Sequence, residues 1–71
     1  MANSRKIITN RYIVQIEGDA ANSMEELGSM AIDEARERAR LYVMPAEWSA
    51  KPIKGSLGDF YVTFQVTRKH Y

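Results

Sequence analysis

The sequence predicts a small α+β domain of β-α-β-β order, in which one helix packs on a three-stranded mixed sheet as a second layer. Three observations predict this fold. Alternating β-branched and aromatic residues follow the N-terminus, a central segment has apolar residues at helical spacing, and two extended segments follow it. The chain has only 71 residues. We therefore expect residues 1–71 to form a single domain with a small core.

The first strand is predicted over residues 7–17, where apolar and polar side chains alternate. The segment from Gly18 to Asn22 ends this alternation. Side chains at odd and even positions of a strand point to opposite faces. One face of the strand would carry Tyr12, Val14 and Ile16, and the other Arg11, Ile13, Gln15 and Glu17.

The helix is predicted to begin near Met24 and to end before Pro45. Ser23 and Glu26 have the Ser-x-x-Glu spacing of a capping box, in which both side chains satisfy amides at the helix start. Proline disfavours a helical conformation in the residue before it and cannot donate the next amide. These two signals bound the helix.

The predicted buried stripe of the helix is narrow because alanines recur every fourth residue, at Ala31, Ala35 and Ala39. Such small side chains let the helix axis approach a sheet closely. Gly28 lies in the same stripe and leaves two alternatives. It either serves the close approach at a cost of about 1 kcal/mol, or it breaks the helix so that Ser29 caps a shorter one.

Two strands and a turn complete the predicted fold. Residues 48–54 form a weak strand, in which Pro52 favours an edge position or an early end. Residues 55–59 form a turn, and a strong strand follows up to Arg68. In that last strand Phe60, Val62, Phe64 and Val66 face one way, and Tyr61, Thr63, Gln65 and Thr67 the other.

The helical crossover predicts that the second strand runs parallel to the first, and the turn predicts an antiparallel last strand. Because a single helix covers only one face of the sheet, the other face is expected to stay open. The face under the helix is predicted to bury Tyr12, Val14, Ile16, Trp48, Phe60, Val62, Phe64 and Val66.

Composition argues against an enzyme. The chain has no Cys and a single His, His70, so it lacks thiol chemistry and has little capacity for acid–base or metal chemistry. We expect no catalytic residues, no metal and no cofactor. With 10 Lys+Arg against 9 Asp+Glu, attraction to a polyanion is not a dominant feature. The sequence contains no apolar run of membrane-spanning length, and we expect a cytoplasmic protein without a membrane partner.

The candidate binding surface is the open sheet face together with basic residues at one end. It comprises Ile13, Gln15, Lys51, Lys54, Tyr61, Thr63, Gln65 and Arg68. An alternative surface lies on the helix at Arg36, Arg38 and Arg40. Arg38 lies near the apolar stripe, and it either extends past the sheet edge with its charge in solvent or binds a partner. Tyr61 is the one aromatic predicted on the open face, which gives only weak support for nucleic-acid binding.

The stretches Asp33-Glu34-Ala35 and Tyr42-Val43-Met44-Pro45-Ala46-Glu47-Trp48 carry a resemblance. An alanine-spaced helix, Tyr-Val and Pro-Ala pairs, and an aromatic residue opening a strand resemble small bacteriophage host-takeover proteins. Among these the closest pattern is that of the T-odd coliphage inhibitors of bacterial RNA polymerase. The resemblance implies that basic residues after the Pro-Ala pair meet the polymerase. Lys51 and Lys54 match, whereas Pro52 replaces one expected basic residue.

The functional hypothesis is a non-enzymatic, phage-encoded protein-binding module that blocks a host protein in the host cytoplasm. RNA polymerase and a nuclease or defence complex are alternative targets, the latter making the protein an anti-defence factor. Two other classes remain open. One is a small nucleic-acid-binding protein, and the other is a structural homodimer that pairs sheet edges or open faces. The chain would be a monomer or a homodimer.

Overall fold

The computed structural model describes residues 8–39 and 46–70. Its elements are β1 (Ile8–Glu17), α1 (Met24–Ala39), β2 (Ala46–Lys54) and β3 (Tyr61–His70). Strand, helix, strand and strand follow one another as predicted, and the fold is α+β. The predicted helix end at Pro45 lies outside the described residues. β3 continues to His70, beyond the predicted end at Arg68.

The sheet has the strand order β1-β3-β2, and both neighbours of β3 are antiparallel to it. β1 and β2 therefore run in the same direction, as the helical crossover requires, but they are not adjacent. The described sheet is antiparallel throughout, which corrects the expectation of a mixed sheet. β3 takes the central position, and its apolar residues Val62, Phe64 and Val66 are almost fully buried there. β2, which contains Pro52, is left at an edge, where a missing amide is tolerated.

The helix begins as the capping signal predicts. The Ser23 hydroxyl accepts a hydrogen bond from the Glu26 amide at 3.2 Å, and the Ser23 carbonyl accepts one from the Leu27 amide at 3.1 Å. α1 runs without interruption through Gly28. Of the two alternatives for Gly28, the helix therefore continues through it. Because Gly28 is buried, the helix approaches the sheet closely at this residue.

The core lies between α1 and the sheet, and the helix contacts all three strands. Its apolar members are Val14, Ile16, Leu27, Ala31, Ala35, Val62, Phe64 and Val66. Tyr12 and Trp48, predicted as core residues, pack at its border and are only partly buried. Phe60 was predicted in the core, and this prediction is wrong because its side chain is 93% exposed. β3 begins one residue later, so strand alternation does not apply to Phe60.

The end of β1 is joined to the β2–β3 connection through Gly18. Its amide donates to the carbonyl oxygens of Asp59 (3.0 Å) and Phe60 (3.3 Å), and its carbonyl accepts from the Gly58 amide (2.8 Å). A Cβ atom at Gly18 would collide with the Asp59 carbonyl oxygen and would lie 2.7 Å from the Asp59 nitrogen. Only glycine permits this close approach of two backbone segments.

The two buried glycines predict stability changes of opposite sign. Gly28→Ala is expected to raise the free energy of unfolding by up to about 1 kcal/mol, because alanine has the higher helix propensity. The added methyl group would lie in ordinary contact, 3.7 Å from Ala50 Cβ and 3.7 Å from Phe64 Cε2. Gly18→Ala is expected to lower the free energy of unfolding by about 1–3 kcal/mol, because the backbone atoms of the two segments must move apart.

Urea denaturation followed by circular dichroism measures both variants against the parent. A loss of stability in Gly28→Ala would contradict the ordinary contacts at that position. Parental stability in Gly18→Ala would contradict the close approach to Asp59.

Candidate functional site

The strand register brings together all but one of the residues predicted on the binding surface. Ile13, Gln65 and Lys51 form one row across the sheet, and Gln15, Thr63 and Lys54 form the next. Tyr61 follows beside the end of β1. These residues alternate with the buried ones, so they lie on the face opposite α1. We call this surface the open face.

Arg68 is the exception, and its predicted position is corrected. Its side chain is only 6% exposed, on the side of the sheet that α1 covers. Strand alternation explains this placement, because Val62, Phe64 and Val66 point to the same side. Arg68 Cζ lies 5.8 Å from the ring centroid of Trp48.

Trp48 in turn stacks on Tyr12, with ring centroids 6.2 Å apart and an interplanar angle of 23°. Arg68 thus belongs to an aromatic cluster at the border of the core. Its Nε has no hydrogen-bond partner within residues 8–39 and 46–70.

Arg38 reaches the edge of the sheet. Its Nη1 donates a hydrogen bond of 2.9 Å to the backbone carbonyl of Ile13 in the edge strand β1. This geometry agrees with the alternative in which the side chain extends past the sheet edge. Arg36 is exposed on the helix, and Arg40, the third residue of the alternative surface, lies outside the described residues.

The loop between β2 and β3 has a defined conformation. Gly55 and Gly58 adopt φ angles of 88° and 92°, in the region that glycine favours. The Asp59 carboxylate accepts hydrogen bonds from the Ser56 amide (2.9 Å) and from the Ser56 hydroxyl (3.4 Å). The Asp59 amide donates to the Ser56 carbonyl at 3.0 Å. Together with the bonds to Gly18, these contacts fix the loop against the end of β1.

This loop and the adjoining ends of β2 and β3 expose four apolar side chains to solvent, which we call the hairpin-end cluster: Ile53, Leu57, Phe60 and Tyr61. Phe60 is 93% exposed and Tyr61 is 55% exposed. Beside them lies a concavity of about 520 Å³, lined in part by Gln15, Lys54 and Thr63 of the open face. The open face and the hairpin-end cluster are therefore continuous. Sequence reasoning missed this cluster, since it assigned Phe60 to the core.

The open face carries more cations than anions. Exposed side chains of alternate strand residues supply Arg11, Lys51, Lys54 and Lys69, against Glu17 and Glu47. The cations are spread over three strands and do not form a continuous basic stripe. Lys54 is the one beside the hairpin-end cluster.

Comparisons with protein-family models, with curated proteins and with solved structures found no match to this chain. Within residues 8–39 and 46–70, no three His, Cys, Asp or Glu side chains are grouped so that they could hold a metal ion. The one helix in this part of the chain is too short and too polar to cross a bilayer.

The Asp59–Ser56 contacts predict that Asp59→Ala weakens the loop. Loss of a charge-assisted hydrogen bond at a partly solvated site is expected to cost about 1 kcal/mol of unfolding free energy. It should also raise the hydrogen-exchange rates of the Gly58 and Asp59 amides, since both take part in the loop's hydrogen bonds. Asp19→Ala is the control. Asp19 is exposed in a turn, and its substitution removes the same negative charge. Equal stability and equal exchange in the two variants would contradict a structural role for Asp59.

Proposed function

We propose that this protein is a non-enzymatic protein-binding module whose contact surface joins the open face to the hairpin-end cluster. The observation that carries the proposal is Phe60, an aromatic side chain that is 93% exposed at a loop held by hydrogen bonds. Burying such a side chain contributes about 1.5–3 kcal/mol. The folded chain forgoes this contribution, and a partner that encloses the ring would recover it.

The neighbours of Phe60 support a contact patch rather than a single stray side chain. Ile53, Leu57 and Tyr61, which lie in or next to the same loop, are also exposed, and exposed apolar residues grouped on a small protein commonly mark an interaction site. Aromatic residues are enriched at the centres of protein interfaces and supply much of their binding energy. Lys54 adds a cation at the rim of the patch.

The fixed loop makes this patch suited to tight binding. Ordering a flexible loop on association costs free energy, and a loop already held in one conformation avoids most of that cost. The bonds from Asp59 to Ser56, and from the loop backbone to Gly18, supply this order before a partner arrives.

The proposed partner is a protein with an apolar pocket for an aromatic ring and acidic groups near it. Lys51 and Lys54 would face those acidic groups and accelerate association. In the host-takeover class that the sequence resembles, such a module acts by occupying a functional surface of a host protein. Bacterial RNA polymerase and a defence nuclease complex in the host cytoplasm are the proposed targets.

Nucleic-acid binding is a second candidate, favoured by the open-face cations Arg11, Lys51, Lys54 and Lys69 and by Tyr61 on the same face. The two candidates differ in salt dependence, because binding through phosphate contacts falls steeply as ionic strength rises. Binding dominated by Phe60 and its apolar neighbours would change little between 50 and 200 mM salt.

The experiment compares partner capture by surface variants of the tagged protein from a bacterial lysate. The captured partner is identified by mass spectrometry, purified and titrated calorimetrically. Phe60→Ala, and separately Tyr61→Ala combined with Lys54→Glu, are each expected to weaken binding by about 2 kcal/mol, roughly thirtyfold in Kd. None of these side chains belongs to the buried core, so circular dichroism spectra should match the parent.

Met30→Ala is the matched control, since Met30 is a solvent-exposed apolar residue on the helix. It should bind the partner like the parent. Parental affinity in both the Phe60 and the Tyr61/Lys54 variants would contradict the proposed surface. It would move the site to the exposed helix face around Arg36.

A further inference from the structure

We propose that the outer edge of β2 is a homodimer interface. In it, two copies of β2 pair antiparallel about a two-fold axis at Ser49, and the two sheets join into one of six strands. The occupant of this edge is a second copy of the chain. The inference is argued without the proposed partner, and of the residues of the partner surface only Lys51 takes part in it.

The two edges of the sheet differ. On β1, Arg38 of the helix already binds the Ile13 carbonyl. On β2, every strand pairing is with β3, and no other element of residues 8–39 and 46–70 pairs with its outer side. An unpaired strand edge offers a row of amides and carbonyls to another strand.

The register shows which groups of β2 face outward. Gly18 donates to the Phe60 carbonyl, so these two residues form a hydrogen-bonded pair. Bonded and non-bonded pairs alternate along β1 and β3, and Ile13 and Gln65, five pairs away, therefore do not bond to each other. This leaves the Ile13 carbonyl free for Arg38. Gln65 therefore points its backbone groups toward β2, where it pairs with Lys51. The backbone amides and carbonyls of successive residues in a strand point alternately toward one neighbouring strand and the other. The backbone groups of Trp48, Ala50 and Pro52 therefore point away from β3, toward the outer edge.

Pro52 supports this assignment independently. It pairs with Phe64 inside the β2–β3 ladder, and a proline has no amide hydrogen to donate. It fits only where the nitrogen is turned away from β3. Ala50 and Trp48, two and four residues before it, then present their amides and carbonyls to the outer edge.

Charge selects one register for the pair. With the two-fold axis at Ser49, Glu47 of each copy lies opposite Lys51 of the other, on the open-face side. Opposite charges at directly facing positions stabilise an antiparallel pair, and like charges destabilise it. An axis at Lys51 would set two lysines against each other. Within one copy Glu47 also faces Lys69 of β3, so it would lie between two cations.

The same register matches shapes on the helix side. It sets Trp48 of one copy opposite Ala50 of the other, where both residues can exchange backbone hydrogen bonds. A large side chain thus meets a small one. Beside Ala50 lies an apolar concavity of about 340 Å³, bordered by Gly28 and Ile32 of the helix. It leaves room along the seam for side chains of the second copy.

Analytical ultracentrifugation over a concentration series tests the dimer. Lys51→Glu and Glu47→Lys are each expected to raise the dimer dissociation constant about tenfold, because each replaces two attractive facing pairs with repulsive ones. The double variant Glu47→Lys/Lys51→Glu restores the attraction between copies and should lower the dimer dissociation constant again relative to either single variant. Lys54→Glu is the control for charge alone, since Lys54 lies beyond the paired segment.

Ser49→Cys gives a second readout. At the two-fold axis the two Ser49 residues form a non-hydrogen-bonded pair with Cα atoms about 4.5 Å apart, within disulfide range. Since the chain has no other cysteine, mild oxidation should give a covalent dimer in high yield. Thr67→Cys, one strand away on the same row, should not. A parent that stays monomeric at every concentration, or a double variant that does not recover, would overturn the proposal.

Discussion

The structure depends on the burial of one face of β3. Val62, Phe64 and Val66 are fully enclosed because β1 and β2 flank the strand and α1 lies across it. The helix can lie this close because Ala31 and Ala35 present only methyl groups to the sheet. Since residues 8–39 and 46–70 include a single helix for this task, the core they form lies on one side of the sheet. The opposite face, with Ile13 and Gln65 in its middle row, is left for contacts outside the chain.

The elements of the fold could be predicted from local patterns. Alternation gave β1 and β3, the Ser23–Glu26 spacing gave the helix start, and Pro52 gave the edge position of β2. Strand order could not be predicted in the same way, because no local pattern states which strand lies between two others. It follows from how the three strands compete for pairing partners and for burial under the helix. That competition is settled only when the three strands assemble.

For the candidate site, too, local patterns predicted some residue positions, whereas others depend on tertiary contacts. Parity along the strands correctly grouped Ile13, Gln15, Thr63 and Gln65 on one face. Arg68 was misplaced because the prediction relied on its charge. Its position along β3, in alternation with Val62, Phe64 and Val66, places it on the helix side, where its long aliphatic stem can pack beside Trp48. Phe60 was misplaced because its direction depends on the loop before β3. That loop is shaped by the φ angles of its glycines and by hydrogen bonds to Gly18, which is far from the loop in the sequence.

The hydrogen bonds between Gly18 and the loop determine whether a short peptide could reproduce the conformation of Phe60. The β2–β3 hairpin carries every residue of the hairpin-end cluster in one continuous stretch, yet part of what holds its loop comes from the end of β1. A synthetic peptide copied from the hairpin would contain the right side chains without the backbone that orients them. An antibody raised against such a peptide would bind the unfolded chain better than the native one. The cluster is in this sense a conformational epitope, although its sequence is linear.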